Sequence, residues 1–217
     1  NSDPSTIINI YQYSKNRSNK IERKLNTRFA PTLALENGNF IYNGLDRIDS
    51  SKHHTEDNIV PCCYQCNAAK NNMTTIDFFN YIRSLNIKPY TPYHIQNLKL
   101  PENGSLQSSI KCVFSLYKDK ELTIEEFYYL SQLPCFYCNN IGVNIFSKAK
   151  TDKKSSNIAK LNGLFIYNGL DRIDSNLGHT KNNIVPCCKY CNFAKNKQSL
   201  NEFQEWIKRI TDFQNSK

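Results

Sequence analysis

The sequence predicts an α+β chain of two small strand–strand–helix modules with flanking helices. Three observations carry this reading. One stretch occurs twice, β-favouring segments precede a short helical one in each copy, and capping-box signatures open apolar helical stripes nearby. Residues 40–67 read FIYNGLDRIDSSKHHTEDNIVPCCYQCN, and residues 165–192 read FIYNGLDRIDSNLGHTKNNIVPCCKYCN. Asp171 repeats Asp46 at an offset of 125 residues, without a gap up to Lys70 and Lys195. A copy keeps what its fold or chemistry needs and drifts elsewhere, so the shared blocks mark the residues of interest. A chain of 217 residues has room for two domains. The modules are placed at 1–88 and 105–217, joined by a linker over 89–104 that contains Pro89, Pro92 and Pro101.

Along the chain, residues 1–39 are polar, basic and without clear periodicity. Phe, Ile, Tyr and Leu over 40–49 favour a strand, bent at Asn43-Gly44, and residues 58–63 read as a second strand. Residues 63–71 suit a short helix. A longer helix is expected from Thr74, with Asp77 as its capping-box partner and Phe78, Tyr81, Ile82 and Leu85 at helical spacing. Ser199 and Glu202 repeat that cap, ahead of Leu200, Phe203, Trp206, Ile207 and Ile210. Between the copies, Leu106, Ile110, Val113, Phe114 and Tyr117 mark one helix, with Cys112 on its buried stripe. Thr123 and Glu126 box another, which presents Phe127 and Leu130 and ends at Pro134.

A formal charge of +9 points to a polyanionic partner, nucleic acid or an acidic membrane. No apolar run approaches the roughly 20 residues of a membrane span, which lowers the membrane option. Lys15, Arg17, Lys20, Arg23, Lys24 and Arg28 crowd the segment before the first copy, and Lys148, Lys150, Lys153, Lys154 and Lys160 crowd the matching segment before the second. Solvated loop and phosphate-contacting loop both fit these insertions, and their recurrence tips the balance toward phosphate.

Nine cysteines are an odd number, and most stand in Cys-x-x-Cys pairs, which argues for metal-bound thiolates in a reducing, intracellular setting. Cys135, Cys138, Cys188 and Cys191 offer four sulfurs for one tetrahedral ion, with structural Zn²⁺ the expected occupant and an iron–sulfur cluster the rival. Cys62 and Cys187, one residue earlier, read as packing residues. The first copy holds Cys63 and Cys66 but no partner pair. By comparison of Asn9-Ile10-Tyr11 with Asn144-Ile145-Phe146, the missing pair falls at or just before Asn1, and a chain cut after that pair is the expectation.

Cys-x-x-Cys, then Leu-Asp-Arg-Ile-Asp, then Asn-Ile-Val-Pro-Cys-Cys-x-x-Cys-Asn-x-x-Lys resembles the HNH endonucleases, the zinc-stapled ββα-metal (His-Me finger) nucleases. The resemblance covers residues 110–213 well, and 40–85 without the first cysteine pair. It implies hydrolysis of DNA phosphodiester bonds, leaving 5′-phosphate ends. It also implies that Asp171 and Asn192, and Asp46 and Asn67 in the first copy, hold one catalytic Mg²⁺ or Mn²⁺. Asn183, with Asn58 as its counterpart, matches the middle asparagine that braces the loop between the strands.

One position departs from the pattern. The family places a histidine after the metal-binding Asp, and this chain has Arg172 and Arg47 there. A guanidinium stays charged and grips phosphate rather than taking a proton. The base must then come from elsewhere, and His179, repeated as His54, is the histidine both copies share. A loop histidine contacting phosphate is the other reading. Asp174 and Asp49 read as turn residues or as partners of Arg172 and Arg47. Lys195 and Lys70 read as phosphate-facing or solvent-exposed.

The reading is therefore a tandem DNA endonuclease with its second module complete. Its rival is a zinc-stabilised DNA-binding module that does not cut, against which the joint retention of Asp and Asn argues. RNA as substrate fits the charge but lacks an aromatic RNA-binding motif. DNA is the expected partner, no membrane is expected, and self-association as a dimer stays open.

Overall fold

The computed structural model describes residues 9–12, 39–96 and 98–216. The basic segment Lys15 to Arg28 and the position expected for the first module's missing cysteines lie outside the described residues. The chain divides into two compact units, Asn1–Phe78 and Phe79–Lys217.

In the first unit, β1 (Asn9–Gln12) pairs antiparallel with β2 (Asn39–Tyr42), and β3 (Gly44–Arg47) with β4 (Ile59–Cys62). The expected first strand is thus two strands, broken at Asn43 where the Asn-Gly bend was read. Helix α1 (Tyr64–Lys70) follows β4 directly, and α2 (Thr75–Ser84) opens after Thr74, whose hydroxyl oxygen accepts from the Asp77 N–H at 3.1 Å. The division of the chain falls inside α2, upstream of the proline-rich stretch.

The second unit continues with α3 (Gly104–Phe114) and α4 (Ile124–Ser131). Strand β5 (Asn144–Phe146), α5 (Asn157–Asn162), β6 (Phe165–Tyr167), β7 (Gly169–Arg172) and β8 (Ile184–Cys187) come next. Helices α6 (Lys189–Lys195) and α7 (Leu200–Asn215) complete it. Its antiparallel pairs, β5 with β6 and β7 with β8, repeat the registers of the first unit: Asn144 faces Tyr167 as Asn9 faces Tyr42, and Gly169 faces Cys187 as Gly44 faces Cys62. The described chain is thus α+β, with its strands in short two-stranded sheets.

Local chemistry explains the helix limits. Cys63 and Cys188 serve as N-caps, each sulfur accepting from an N–H three residues on, and both helices end on an asparagine with positive φ, Asn71 at 50° and Asn196 at 53°. Both residues of the Thr123–Glu126 and Ser199–Glu202 capping boxes bond as the sequence predicts.

Two-stranded sheets this short need a cover to persist. In the second unit α3 and α4 supply it: Ile110, Val113, Phe127 and Leu130 pack with Phe165, Leu170 and Ile184 in one buried cluster. Full burial of a side chain such as Phe127 contributes about 1.5–3 kcal/mol. In the first unit the counterparts of buried Leu170 and Val185 are Leu45 and Val60, which are 51% and 40% exposed. The stretch 89–104 is irregular, as expected, yet Tyr93, Ile95 and Leu100 pack against the second unit's core. It is a wall of that unit rather than a free linker. Cys112 is half-buried. Among the described residues no helix is long and apolar enough to cross a membrane.

Candidate functional site

The four sulfurs of Cys135, Cys138, Cys188 and Cys191 lie within 4.8 Å of one another, and Cys138 Sγ is 3.7 Å from Cys188 Sγ. A tetrahedral ion with bonds of about 2.3 Å sets its sulfurs about 3.8 Å apart. The cluster therefore has the dimensions to hold a metal ion such as zinc. Its two halves come from the turn after α4 and from the start of α6, so an ion there would tie the helical cover to the strand pair. Hydrogen bonds from Cys138 and the neighbouring thiols pull Cys135 toward thiolate, while the Cys135 sulfur pushes Cys191 up. A cation among them is what lets all four ionise together. Cys187 is fully buried with its thiol pushed up by that burial, and Cys62 is raised to about 12 for the same reason, in keeping with packing roles. Cys63 and Cys66 have the helix-start geometry of Cys188 and Cys191, with N–H to Sγ at 3.4 Å in both copies.

In the first unit, Asp46, Arg47, His54 and Asn67 all line one cleft of about 270 Å³, with Ser50, Ala68, Asn71 and Asn72 as its other polar and small walls. The order of elements explains why they meet. Asp46 and Arg47 end β3, Asn67 lies one turn into α1, and the loop between the strands brings His54 over the gap.

The second copy keeps this backbone plan and the same contact of a buried carboxylate with a buried lysine. Asp171 is buried, and its Oδ2 accepts from the Tyr137 hydroxyl at 2.6 Å and faces Lys195 Nζ at 3.1 Å. Burial pushes its carboxyl above the ordinary range, against the pull of Lys195 and Tyr137. Asn192 is exposed on α6. His179 is half-buried: Nδ1 lies 3.1 Å from Asp119 Oδ1, and the ring meets Tyr117 edge-on at 5.0 Å. Arg172 donates to the Leu177 carbonyl at 3.1 Å and faces Asp119 at 3.9 Å, so Asp119 gathers Arg172 and His179 around one carboxylate. Arg47 donates to the Lys52 carbonyl at 2.9 Å in the same manner.

Asn183 and Asn58 brace their loops. Asn183 Oδ1 accepts from the Asp174 N–H at 2.8 Å, and its Nδ2 donates to the carbonyls of Asp174 and Gly178, both at 3.0 Å. Asn58 repeats all three bonds with Asp49 and His53. Asp174 and Asp49 close turns, accepting from the N–H groups of Asn176 and Ser51. The alternative in which they pair with the arginines is not what the chain adopts.

Lys195 and Lys70 correct the sequence reading. Neither is solvent-exposed nor aimed outward: Lys195 is wholly buried and Lys70 is 5% exposed. Each ammonium sits 3.1 Å from its module's Asp Oδ2 and donates to the next carbonyl, of Arg172 or Arg47, at 2.8 Å. A lysine one turn after the helical asparagine points back under the strand, where the buried carboxylate needs a counter-charge. The lysines 148, 150, 153 and 154 are exposed, as a basic loop requires.

No known protein-family profile matches the chain. No solved structure matches it either. A viral protein does: Uncharacterized protein R423 of Acanthamoeba polyphaga mimivirus is 25% identical over 169 residues, 73% of this chain and 27% of that protein. The chain thus spans about a quarter of that relative's length.

The sequence reading missed the buried contacts of Lys70 and Lys195 and gave no role to Tyr137 or Asp119. The lysine's role had a signal, since Lys70 and Lys195 hold equivalent places beside equivalent aspartates. Tyr137, between two cysteines, and Asp119, outside the repeat, had none.

Proposed function

We propose that the chain is a metal-dependent DNA endonuclease of the HNH type, built from two ββα-metal modules, the second stapled by zinc at Cys135, Cys138, Cys188 and Cys191. The observation that carries this is the cleft of the first unit, where Asp46, Arg47, His54 and Asn67, four residues kept in both copies, line one space of about 270 Å³. A carboxylate and an amide are hard oxygen donors, and a pair of them with open room beside it suits Mg²⁺ or Mn²⁺, which keep several waters and take substrate phosphate. Such an ion, when bound, stabilises charge on the scissile phosphate and the leaving 3′ oxygen.

The chain's own residues divide the remaining work. Asp171 and Asp46 are the carboxylate donors, set in place by Lys195 and Lys70. Asn192 and Asn67 are the amide donors. Arg172 and Arg47 keep a fixed charge toward a phosphate, and their backbone-anchored guanidinium lowers the cost of ordering them. His179 and His54 accept the proton of the attacking water. Asn183 and Asn58 hold the loop that carries the histidine. The charge of +9 provides sequence-independent attraction to the phosphate backbone.

A zinc-stabilised DNA-binding module that does not cut is the competing class. Incubation of supercoiled plasmid with the full chain and Mg²⁺ or Mn²⁺, beside a chelator control and a binding titration on the same DNA, separates the two. Nicked or linear product that needs the cation supports the nuclease. Saturable binding with intact plasmid across several DNA substrates supports the binding module.

A further inference from the structure

We propose that Asp119, which lies outside the repeated motif, is the positioning residue for His179, holding its imidazole with the proton on Nδ1 and Nε2 free to accept. The inference rests on the nuclease reading for its consequence, but the contact itself stands on geometry. Asp119 Oδ1 lies 3.1 Å from Nδ1 of His179. A carboxylate ionised near neutral pH can only accept, so the hydrogen of that bond belongs to the ring nitrogen. His179 also holds Asp119 below the usual carboxylate range, so the pair works in both directions.

The backbone clamps the same two segments together. The His179 N–H donates to the Asp119 carbonyl at 2.9 Å, and the Glu121 N–H donates to the His179 carbonyl at 3.2 Å, flanking a bridge between Lys120 and His179. Tyr117 packs its ring on the imidazole and accepts from the Leu170 N–H at 3.0 Å, one residue before Asp171. Segment 117–121 therefore ties the histidine loop to the strand that carries the carboxylate. Base, orienting carboxylate and fixed ring make the arrangement by which an imidazole is kept in the reactive tautomer.

Gly178 is what admits the clamp. A Cβ on Gly178 would stand 3.0 Å from the Asp119 carbonyl oxygen, so that backbone would have to give by a few tenths of an ångström. The first copy has His53 at that position, and His54 is exposed rather than packed. Among the described residues the two modules therefore present their shared histidine differently.

The test is nitrogen-15 NMR of the four histidines in the zinc-loaded full chain, with His179 assigned by the signal lost in His179→Gln. The native chain is expected to give an Nδ1–H tautomer at His179. Asp119→Ala and Gly178→Ala should each convert it to Nε2–H, while Asp119→Asn, which keeps an acceptor oxygen, should preserve Nδ1–H. Unfolding midpoints and zinc content, measured alongside, should stay near the native values. On plasmid DNA, in an Asp46→Asn background that silences the first copy, Asp119→Ala should lower kcat roughly 10- to 100-fold with KM little changed. An Nε2–H tautomer in the native chain, or an unchanged tautomer in Asp119→Ala, overturns the proposal. If the native chain does not cleave, the nuclease reading falls and the tautomers alone decide the role of Asp119.

Discussion

Replacing Lys195 with Met tests the most unexpected contact of the site. Lys195 is fully buried, and its ammonium serves both Asp171 Oδ2 at 3.1 Å and the Arg172 carbonyl at 2.8 Å. Met fills nearly the same volume, so packing changes little and the electrostatic loss dominates. Breaking one partner of a buried ion pair costs about 3–5 kcal/mol, because the other charge stays buried without compensation. The carbonyl left without its donor belongs to the same loss and is not added on top. For a unit of this size that is a fall of roughly 10–20 °C in Tm. Trp206, the single tryptophan, is 1% exposed and stacked on Phe203, so its fluorescence in a urea titration reads the second unit alone. Asp171→Asn should cost a similar amount, and the double variant should cost less than the two singles together by about 2 kcal/mol or more. A Lys195→Met loss below about 1 kcal/mol, or an additive cycle, would refute the assignment of Lys195 as the counter-charge of Asp171.

Three further expectations follow from the same geometry. Tyr137→Phe removes one hydroxyl from Asp171 and should cost about 1.5–3 kcal/mol while leaving zinc content unchanged; loss of zinc would mean that Tyr137 serves the cysteine site and not the carboxylate. Cys188→Ser should abolish stoichiometric zinc by elemental analysis and broaden the Trp206 unfolding transition, and because each sulfur must shed a proton to bind, the native chain should release zinc as the pH falls. Thr123→Ala opens the capping box of α4 and should lower stability by about 1 kcal/mol, and an effect near zero would show that packing under Phe127 alone sets that helix.

Much of the fold was legible because its signals are local. Cap residues and apolar spacing located α2, α3, α4 and α7, and the Asn-Gly bend located the break between β2 and β3. The four-cysteine cluster was legible from spacing alone, since two Cys-x-x-Cys turns leave few ways to arrange four sulfurs. The repeat singled out Asp46, His54 and Asn67, which line one cleft, and Asn58, which braces its loop. What stayed hidden depends on three-dimensional direction. Lys195 reads as phosphate-facing or solvent-exposed because sequence does not say that its ammonium turns back to Asp171 and the Arg172 carbonyl. Tyr137 and Asp119 carry no mark in the sequence, because chain order does not show that one meets Asp171 and the other His179. The packing of 89–104 was missed because its prolines signal irregular backbone, which says nothing of whether Tyr93 and Ile95 are covered.

The central claim is that the repeated aspartates act in cutting DNA, and one experiment addresses it most directly. Supercoiled plasmid would be incubated with Mn²⁺ and the full native chain, Asp46→Asn, Asp171→Asn, or both together, each first checked for fold by circular dichroism. The account predicts cation-dependent nicking by the native chain, weaker nicking in whichever single variant disables an active copy, and no nicking by the double variant. Equal cleavage by the native chain and the folded double variant, or DNA binding without cleavage by all four, would contradict it.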